Sequence, residues 1–571
     1  MTMLTKWGAA LDRSCPLPEY PRPQLRRESF YNLNGVWDYA VTPSGDEPEV
    51  WDGEIVVPFS PEAPLSGAAR GPAKDEYLHY RRGFTLPEGF QKSRVLLHFG
   101  AVDQIAEVFV NGVSAAKHSG GYWPFSADIT SLLREGENIL RVTVRDNADD
   151  PTFAYGKQRY KRGGMWYTAQ SGIWQTVWLE SVPEVYVKSL RITPEFDEAR
   201  VRIELETALE SSAAITCDVR AADGSFVAGS WAKGGVCLVP LPGFRAWTPD
   251  DPYLYTLDIT CGEDHVESYF AMRKFSYVEL GGHKVFGLNN APLFHNGLLD
   301  QGYYPDGLLT PPSDEAMVND IETMKRCGFN MLRKHIKIEP LRWYYHCDRL
   351  GMIVWQDMVS GGQPYSFLHV SALPTLGKVD LPDKDAKPYG RSGVLSRARF
   401  RREMADTVRL LYNCPCIALW TVFNEGWGQF DALDMANELK KLDPTRFIDH
   451  ASGWQDQGYE EMKSRHIYFR PVKLKNDGRA LALTEYGGYI LAVDGHRWTD
   501  KVFGYRICRN SAALAHDYEK LMLGQVLPHI RKEGLTAAVY TQITDVEEEL
   551  NGLMTYDREV LKIPEETLRE I

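Results

Sequence analysis

Residues 313–336, SDEAMVNDIETMKRCGFNMLRKHI, decide how the second half of the chain is read. Ser313 stands as an N-cap ahead of the acidic first-turn residues Asp314 and Glu315, and an amphipathic stretch runs from there to Gly328. The next eight residues, FNMLRKHI, read as a short apolar strand ending in Arg333, Lys334 and His335. A helix that feeds an apolar strand is one step of a repeated β/α pattern.

Working outward, the same alternation extends from about residue 275 to the C-terminus. Further candidate strands are PLFHNGLL (292–299), GMIVWQDM (351–358), IALWTVFNEG (417–426), RFIDHAS (446–452), HIYFRP (466–471), LALTEYGGY (481–489) and AAVYTQITD (537–545). Eight such strands match a (β/α)8 TIM barrel. Periodicity alone leaves a doubly wound sheet open. Upstream, residues 26 to 182 carry short alternating strands, among them GVWDYAVTP (35–43), ENILRVTVRDN (137–147) and GIWQTVWLESV (172–182), with a hairpin signal at Asn111-Gly112. This reads as a β-sandwich. A second β segment follows, including VKSLRITPEF (187–196) and YLYTLDITC (253–261), and suits a small immunoglobulin-like sandwich. The expected division is 1–182, 183–274 and 275–571.

Composition narrows the function. At 571 residues the chain exceeds what one core supports, and 44% hydrophobic with 25% charged residues describes an ordinary globular protein. A net charge of −13 argues against nucleic acid or an anionic membrane as partner and favours a neutral or weakly charged substrate. The first residues show no apolar signal segment and no run of 18 apolar residues occurs, so a cytoplasmic location is expected. Nine scattered cysteines without a C-x-x-C pair make neither a disulfide framework nor a zinc site; no metal and no cofactor are expected. The 15 Trp and 29 Tyr serve packing, or the stacking of rings on sugar faces.

In a TIM barrel the polar residues at the C-terminal ends of the strands build the active site. Here those ends carry Arg333-Lys334-His335, Gln356-Asp357, Asn424-Glu425, His466 with Tyr468, and Glu485-Tyr486. Cleavage of a glycosidic bond with retention needs two carboxyl groups about 5–5.5 Å apart, one to protonate the leaving oxygen and one to attack the anomeric carbon. Glu425 and Glu485 each follow an apolar run directly, which places a carboxyl beside low-dielectric core and raises the pKa of one of them toward a working acid. The alternative for each is a structural pairing with Arg or Lys.

The stretches NLNGVWDYAV, YRRGFTLP, AEVFVNGV, GIWQTVWLE, PDDPYLYTL, GFNMLRKHIKIEPLRWYYHCDRLGMIVWQDM, TVFNEGWG and TEYGG resemble glycoside hydrolase family 2, which includes β-galactosidases, β-glucuronidases and β-mannosidases. The resemblance spans nearly the whole chain from about Arg26. It implies a jelly-roll-like sugar-binding sandwich, an immunoglobulin-like sandwich and a catalytic TIM barrel, with Glu425 of the N-E pair as acid/base and Glu485 of the E-Y-G triplet as nucleophile. It also implies that Asn424 binds the sugar 2-OH, that Tyr468 orients the nucleophile and that His335 contacts a sugar hydroxyl. Asp357 and Asp300 are candidate hydroxyl ligands, with salt bridges as the alternative. Trp427 and Trp355 are candidate stacking surfaces, and Tyr486 joins the substrate-binding set.

Two departures from the family pattern bear on the substrate. No Asn-x-Lys motif follows the nucleophile, since Asn551-Gly552-Leu553 is not one, which weakens a uronide. The third strand ends Trp355-Gln356-Asp357-Met358 where large β-galactosidases carry Asp-Glu, and their metal-ligand cluster has no counterpart. Arg333, Lys334, Lys337 and Arg470 lie near rim segments and offer another route to an acidic sugar unless carboxylates pair them. The resulting expectation is a retaining exo-β-glycosidase acting on a carbohydrate or glycoside, with galactoside first. A β-glucuronide, another uronide or an arabinopyranoside is the alternative, and an inactive carbohydrate-binding protein is the alternative of another class. Either is compatible with a homo-oligomer assembled through the sandwiches.

Overall fold

The computed structural model describes residues 3–209, 214–376 and 380–571. Alternating side chains in the N-terminal region produce two facing antiparallel sheets. A six-stranded sheet contains Gly35–Thr42, Tyr77–Phe84 and Asn138–Arg145, and a four-stranded sheet contains Arg94–Phe99 and Val177–Val182. Trp37, Tyr80 and Val142 of the first pack with Val95, Leu97 and Leu179 of the second. The Asn-Gly signal is a true hairpin: Asn111 (φ 51°) and Gly112 (φ 82°) both take the left-handed conformation that a two-residue turn of matching twist requires. The middle region forms sheets of three and four strands around Ile203, Val219, Val239, Leu257 and Ile259, an immunoglobulin-like sandwich.

The C-terminal region is a parallel barrel. Its strands are β1 (His295–Asp300), β2 (Met331–Lys334), β3 (Ile353–Asp357), β4 (Ile417–Thr421), β5 (Phe447–Asp449), β6 (Met462–Ile467), β7 (Ala480–Gly487) and β8 (Leu535–Thr541). They are hydrogen-bonded in the order 5-4-3-2-1-8-7-6, so the circle is continuous except at the β5–β6 seam. A doubly wound sheet is thereby excluded. The helix Asp314–Arg326 forms as its sequence directs: Ser313 accepts from the Ala316 amide at 3.2 Å, and Met317, Ile321 and Met324 face the core.

Two details differ from the sequence reading. Strand β6 lies at Met462–Ile467 rather than 466–471, so Tyr468 stands just beyond it. Among the described residues no helix follows β5 or β6. The segment 453–461, GWQDQGYEE, lacks apolar periodicity and is tied instead by polar contacts such as Arg479 to Asp456 at 2.6 Å.

The N-terminal mouth of the barrel is plugged by the hairpin Phe275–Leu280/His283–Leu288, whose Phe286 stacks on Phe447 with centroids 4.3 Å apart. Trp355 belongs to this floor, fully buried against Phe286 and His295. With that end filled, only the opposite mouth is available for a site. Among the described residues no helix is long and apolar enough to cross a membrane. Phe447→Ala removes the centre of the floor, and we expect a loss of about 3–5 kcal/mol of stability, measured as an earlier barrel transition in denaturant titration.

Candidate active site

The open mouth holds a pocket in which side chains from strand ends and from the N-terminal sandwich converge. Glu485 reaches it from β7, where the register with β6 shifts between Arg465 and His466 so that His466 stands beside Glu485. Glu425 lies beyond the end of β4, in a turn where its own φ is 53° and its amide donates to the Ser452 carbonyl at 2.9 Å. A non-glycine residue in this left-handed region is held there against an intrinsic cost of about 1–3 kcal/mol, which is characteristic of functional positions. Ile336, another wall residue, has φ 53° as well, a conformation that a β-branched side chain rarely takes.

Arg333 organises the floor of this pocket. Its fully buried guanidinium grips Asp357 in a bidentate pair, with both N···O distances 3.0 Å, and reaches Glu485 Oε1 at 3.0 Å and Asn424 Oδ1 at 2.8 Å. Burial pushes the Asp357 carboxyl up, but Arg333 and then His335 outweigh it and hold the group at about 2. Asp357 in turn accepts from His335 Nδ1 at 2.7 Å, while burial drives His335 down to about 3, so its imidazole is neutral.

Burial has the opposite consequence at Glu425. It raises this carboxyl to about 7, against the opposing fields of Lys157 and Arg333. His466 joins the two glutamates: Nδ1 is 2.8 Å from Glu425 Oε1, and Nε2 is 3.6 Å from Glu485 Oε1. Arg333 has only donors, so the Nε2 atom that faces it at 3.4 Å accepts, and the ring proton lies on Nδ1, directed at Glu425. Burial depresses His466 to about 4, which keeps it neutral in this role. The second oxygen of Glu485 accepts a hydrogen bond from the Tyr468 hydroxyl.

Of the residues singled out in the sequence, Asn424, Glu425, Trp427, Tyr468, Glu485 and His335 all line the pocket. Trp355, in the floor of the barrel, does not, and neither do three others. Tyr486 points outward from β7, as the residue after an inward Glu485 must, and its hydroxyl meets Met522 Sδ at 2.8 Å. Asp300 is a buried ion-pair partner of Lys334 at 2.6 Å. Asp357 acts through Arg333 and His335, both of its oxygens being engaged by them. Two further rim cations are similarly committed, Lys334 to Asp300 and Glu339, and Lys337 to Glu339 and the Gly302 carbonyl. Arg470, by contrast, lines the outer part of the mouth without an ion pair within 4.0 Å among the described residues.

The sequence reading missed the contribution of other segments. Lys157 and Trp166 come from a loop of the N-terminal sandwich, and Glu549 from the segment after β8. The loop is pinned to that segment by three consecutive glutamates: Glu547 accepts from the Thr168 amide at 2.8 Å, Glu548 from the Gly164 amide at 2.9 Å, and Glu549 from the Tyr167 hydroxyl. The acidic triplet was a visible signal; nothing local marked Lys157. Gln301 Oε1, Thr541 Oγ1 and Trp427 Nε1, all from wall residues, are buried without a partner among the described residues. Unsatisfied polar atoms around a cavity are available to a hydroxyl-rich ligand.

Oxygen and nitrogen atoms of Glu425, His466 and Glu485 lie within 4.8 Å of one another, a donor set of the kind that holds a metal ion. The Arg333 guanidinium already supplies positive charge at Glu485, and His466 spends its Nδ1 proton on Glu425. The arrangement thus pairs one carboxyl held near neutrality with a second carboxyl oriented by a guanidinium and a phenol.

Comparison with known proteins agrees with this anatomy. Three family models match in succession: "Glycosyl hydrolases family 2, sugar binding domain" at residues 64–183, "Glycosyl hydrolases family 2" at 185–273 and "Glycosyl hydrolases family 2, TIM barrel domain" at 311–474. A β-galactosidase of Thermoanaerobacter pseudethanolicus is 25% identical over 387 residues, covering 64% of this chain and 47% of the relative. Human β-glucuronidase is 23% identical over 510 residues, covering 79% of this chain and 73% of the relative. The chain spans less than half the length of the β-galactosidases it matches. In fold it is similar to a β-glucuronidase from an uncultured Clostridium, with TM-score 0.75 and 19% identity over 96% of this chain and 98% of that one.

Removing the guanidinium leaves Asp357 buried without its cation. We expect Arg333→Met to lose about 3–5 kcal/mol in chemical denaturation, and Arg333→Met/Asp357→Asn to recover part of it.

Proposed function

Because the chain belongs to glycoside hydrolase family 2, we propose that it is a retaining exo-β-glycosidase that hydrolyses a terminal, non-reducing β-linked sugar through a covalent glycosyl-enzyme. In this reading residues 1–182 are a sugar-binding-type sandwich, 183–274 the immunoglobulin-like sandwich and 275–571 the catalytic barrel. The observation that carries it is the proximity of the two glutamates. Oxygens of Glu425 and Glu485 come within 4.8 Å, in keeping with the separation of about 5–5.5 Å that retention needs and short of the roughly 6.5–9.5 Å that leaves room for an inverting water.

Glu485, aimed by Arg333 and Tyr468, attacks the anomeric carbon as the bond to the glycosidic oxygen breaks. Glu425 gives its proton to that oxygen. Water then attacks the anomeric carbon of the glycosyl ester from the side the leaving group vacated, opposite Glu485; Glu425 takes its proton, and Glu485 is released as carboxylate. His466 is a positioning residue: its Nδ1 proton occupies Oε1 of Glu425 and leaves Oε2 for the proton in transit. Exo action is supported by the small inner pocket, about 40 Å³, whose lining includes Leu299 and Thr541 near the C-terminal ends of β1 and β8.

A neutral glycone, with galactoside first, is supported by Glu549. Its buried carboxyl on the pocket wall suits a sugar hydroxyl and opposes a uronate. A β-glucuronide is the second reading. It is favoured by Lys157, which lines the pocket without an ion pair within 4.0 Å among the described residues. A panel of nitrophenyl β-glycosides with α-L-arabinopyranoside decides between them; preferred turnover of the glucuronide, lost in Lys157→Met, would overturn the neutral reading. Sugar affinity without any turnover would favour a binding protein instead.

Glu485→Gln is expected to abolish turnover, and Glu425→Gln to lower it by about 10²–10⁴-fold for poor leaving groups. Since Glu425 carries its proton below about pH 7 and loses it above, kcat/KM should decline as pH rises through 7, and Glu425→Gln should lack that limb. Proton NMR of the first-formed product should show the β anomer.

A further inference from the structure

The space on the solvent side of Glu425 differs in kind from the pocket behind it. A cavity of about 650 Å³, against about 40 Å³ for the inner pocket, opens outward from Glu425, Tyr468 and Tyr505. Its sides are aromatic: Trp166, Tyr365, Phe367, Trp454, Phe469 and Phe503. Phe367 and Phe469 are 72% and 67% exposed, and Leu376 on the same rim is 67% exposed. Single exposed apolar residues need no explanation, but several gathered round one cavity mark a surface that a ligand covers.

The rings are also pre-arranged. Tyr505 stacks on Tyr468 with centroids 4.0 Å apart, and Phe469 meets Tyr505 edge-on at 5.0 Å. Because Tyr468 holds Glu485, this platform is continuous with the reacting centre. Beyond the residues it shares with the inner pocket, the outer cavity adds few polar side chains, namely Thr375, His466, Arg470 and Trp454, whose Nε1 is buried without a partner among the described residues. The inner pocket adds Lys157, Gln301, Asn424, Glu485, Thr541 and Glu549. The glycosidic oxygen has to lie at Glu425, so whatever fills the outer cavity is the leaving group.

We propose that the outer cavity is a binding subsite for a flat, apolar aglycone, aromatic or polycyclic, rather than for the next sugar of an oligosaccharide. The proposal rests on the reading of Glu425 as the acid that serves the leaving group. The chemistry is unchanged by it: the aglycone departs with the proton from Glu425, and the walls contribute burial of apolar surface, which at about 25 cal/mol per Å² gives roughly tenfold for each 60 Å² covered.

The test compares two aryl glycosides of the glycone selected by the nitrophenyl panel, with leaving phenols of similar acidity but different apolar area, 4-methylphenol and 4-benzylphenol. The 4-benzylphenyl glycoside should have a kcat/KM about tenfold higher, and the ratio should fall toward one in Phe367→Ser and Phe469→Ser. Titration of the wild type with free 4-benzylphenol should show binding that weakens in the same variants. Turnover of both glycosides with a ratio of one, or a ratio that survives both substitutions, sinks the subsite while leaving the glycosidase reading intact. Binding of 4-benzylphenol that depends on Phe469, in a protein that cleaves no glycoside, upholds the subsite and overturns the catalytic reading.

Discussion

A guanidinium sealed inside a barrel cannot shed its charge, and the mouth of this one is arranged around that fact. Arg333 is fully buried, and desolvation of a permanent cation is tolerable only if anions and acceptors surround it. Asp357 takes the bidentate face, and Glu485, Asn424 and the Thr484 carbonyl take the rest. Those partners belong to β3, the turn after β4 and β7. One side chain on β2 therefore fixes the relative positions of strands distant in sequence, and the orientation of Glu485 is a by-product of satisfying the cation.

The contrast between the two glutamates follows from this asymmetry. Glu485 faces Arg333 and Tyr468, whereas Glu425 faces neutral His466 and is pushed toward neutrality by burial. Identical side chains acquire different proton affinities because one receives charge-assisted donors and the other only a neutral donor. Burial likewise outweighs the neighbouring carboxylates at His466 and His335 and keeps both imidazoles neutral, as it outweighs Lys157 and Arg333 at Glu425.

A second constraint is the seam between sandwich and barrel. The loop that carries Lys157 and Trp166 is stitched to Glu547, Glu548 and Glu549, and Tyr155 adds bonds to the carbonyl of Gly362 at 2.8 Å and, through its amide, to that of Ser360 at 3.1 Å. The site wall is consequently assembled from two domains. Gln301, Thr541 and Trp427 leave polar atoms without partners in the inner pocket, and the exposed rings of Phe367 and Phe469 line the outer cavity, so one opening presents two surfaces of different chemistry.

The sequence by itself carried the sandwiches, the β/α alternation and two strand-end glutamates. Local signals showed these, through the Ser313 cap, the period-2 strands, the Asn111-Gly112 turn and carboxyls standing directly after apolar runs. They left a doubly wound sheet open, and it was the family resemblance that implied the barrel and paired Glu425 with Glu485. The sequence could not tell Asp300 and Asp357 from substrate ligands, because whether a strand-end carboxylate faces a cavity or a buried cation depends on residues far along the chain, here Lys334 and Arg333. Tyr486 failed for a geometric reason, since neighbours on a strand point to opposite faces and Glu485 already claims the inner one. Only the tertiary structure brought in Lys157, Trp166 and Glu549, and only it set the protonation of Glu425, for both are non-local. The first arises from docking one domain on another, and the second from the low-dielectric surroundings that the docked domains create around that carboxyl.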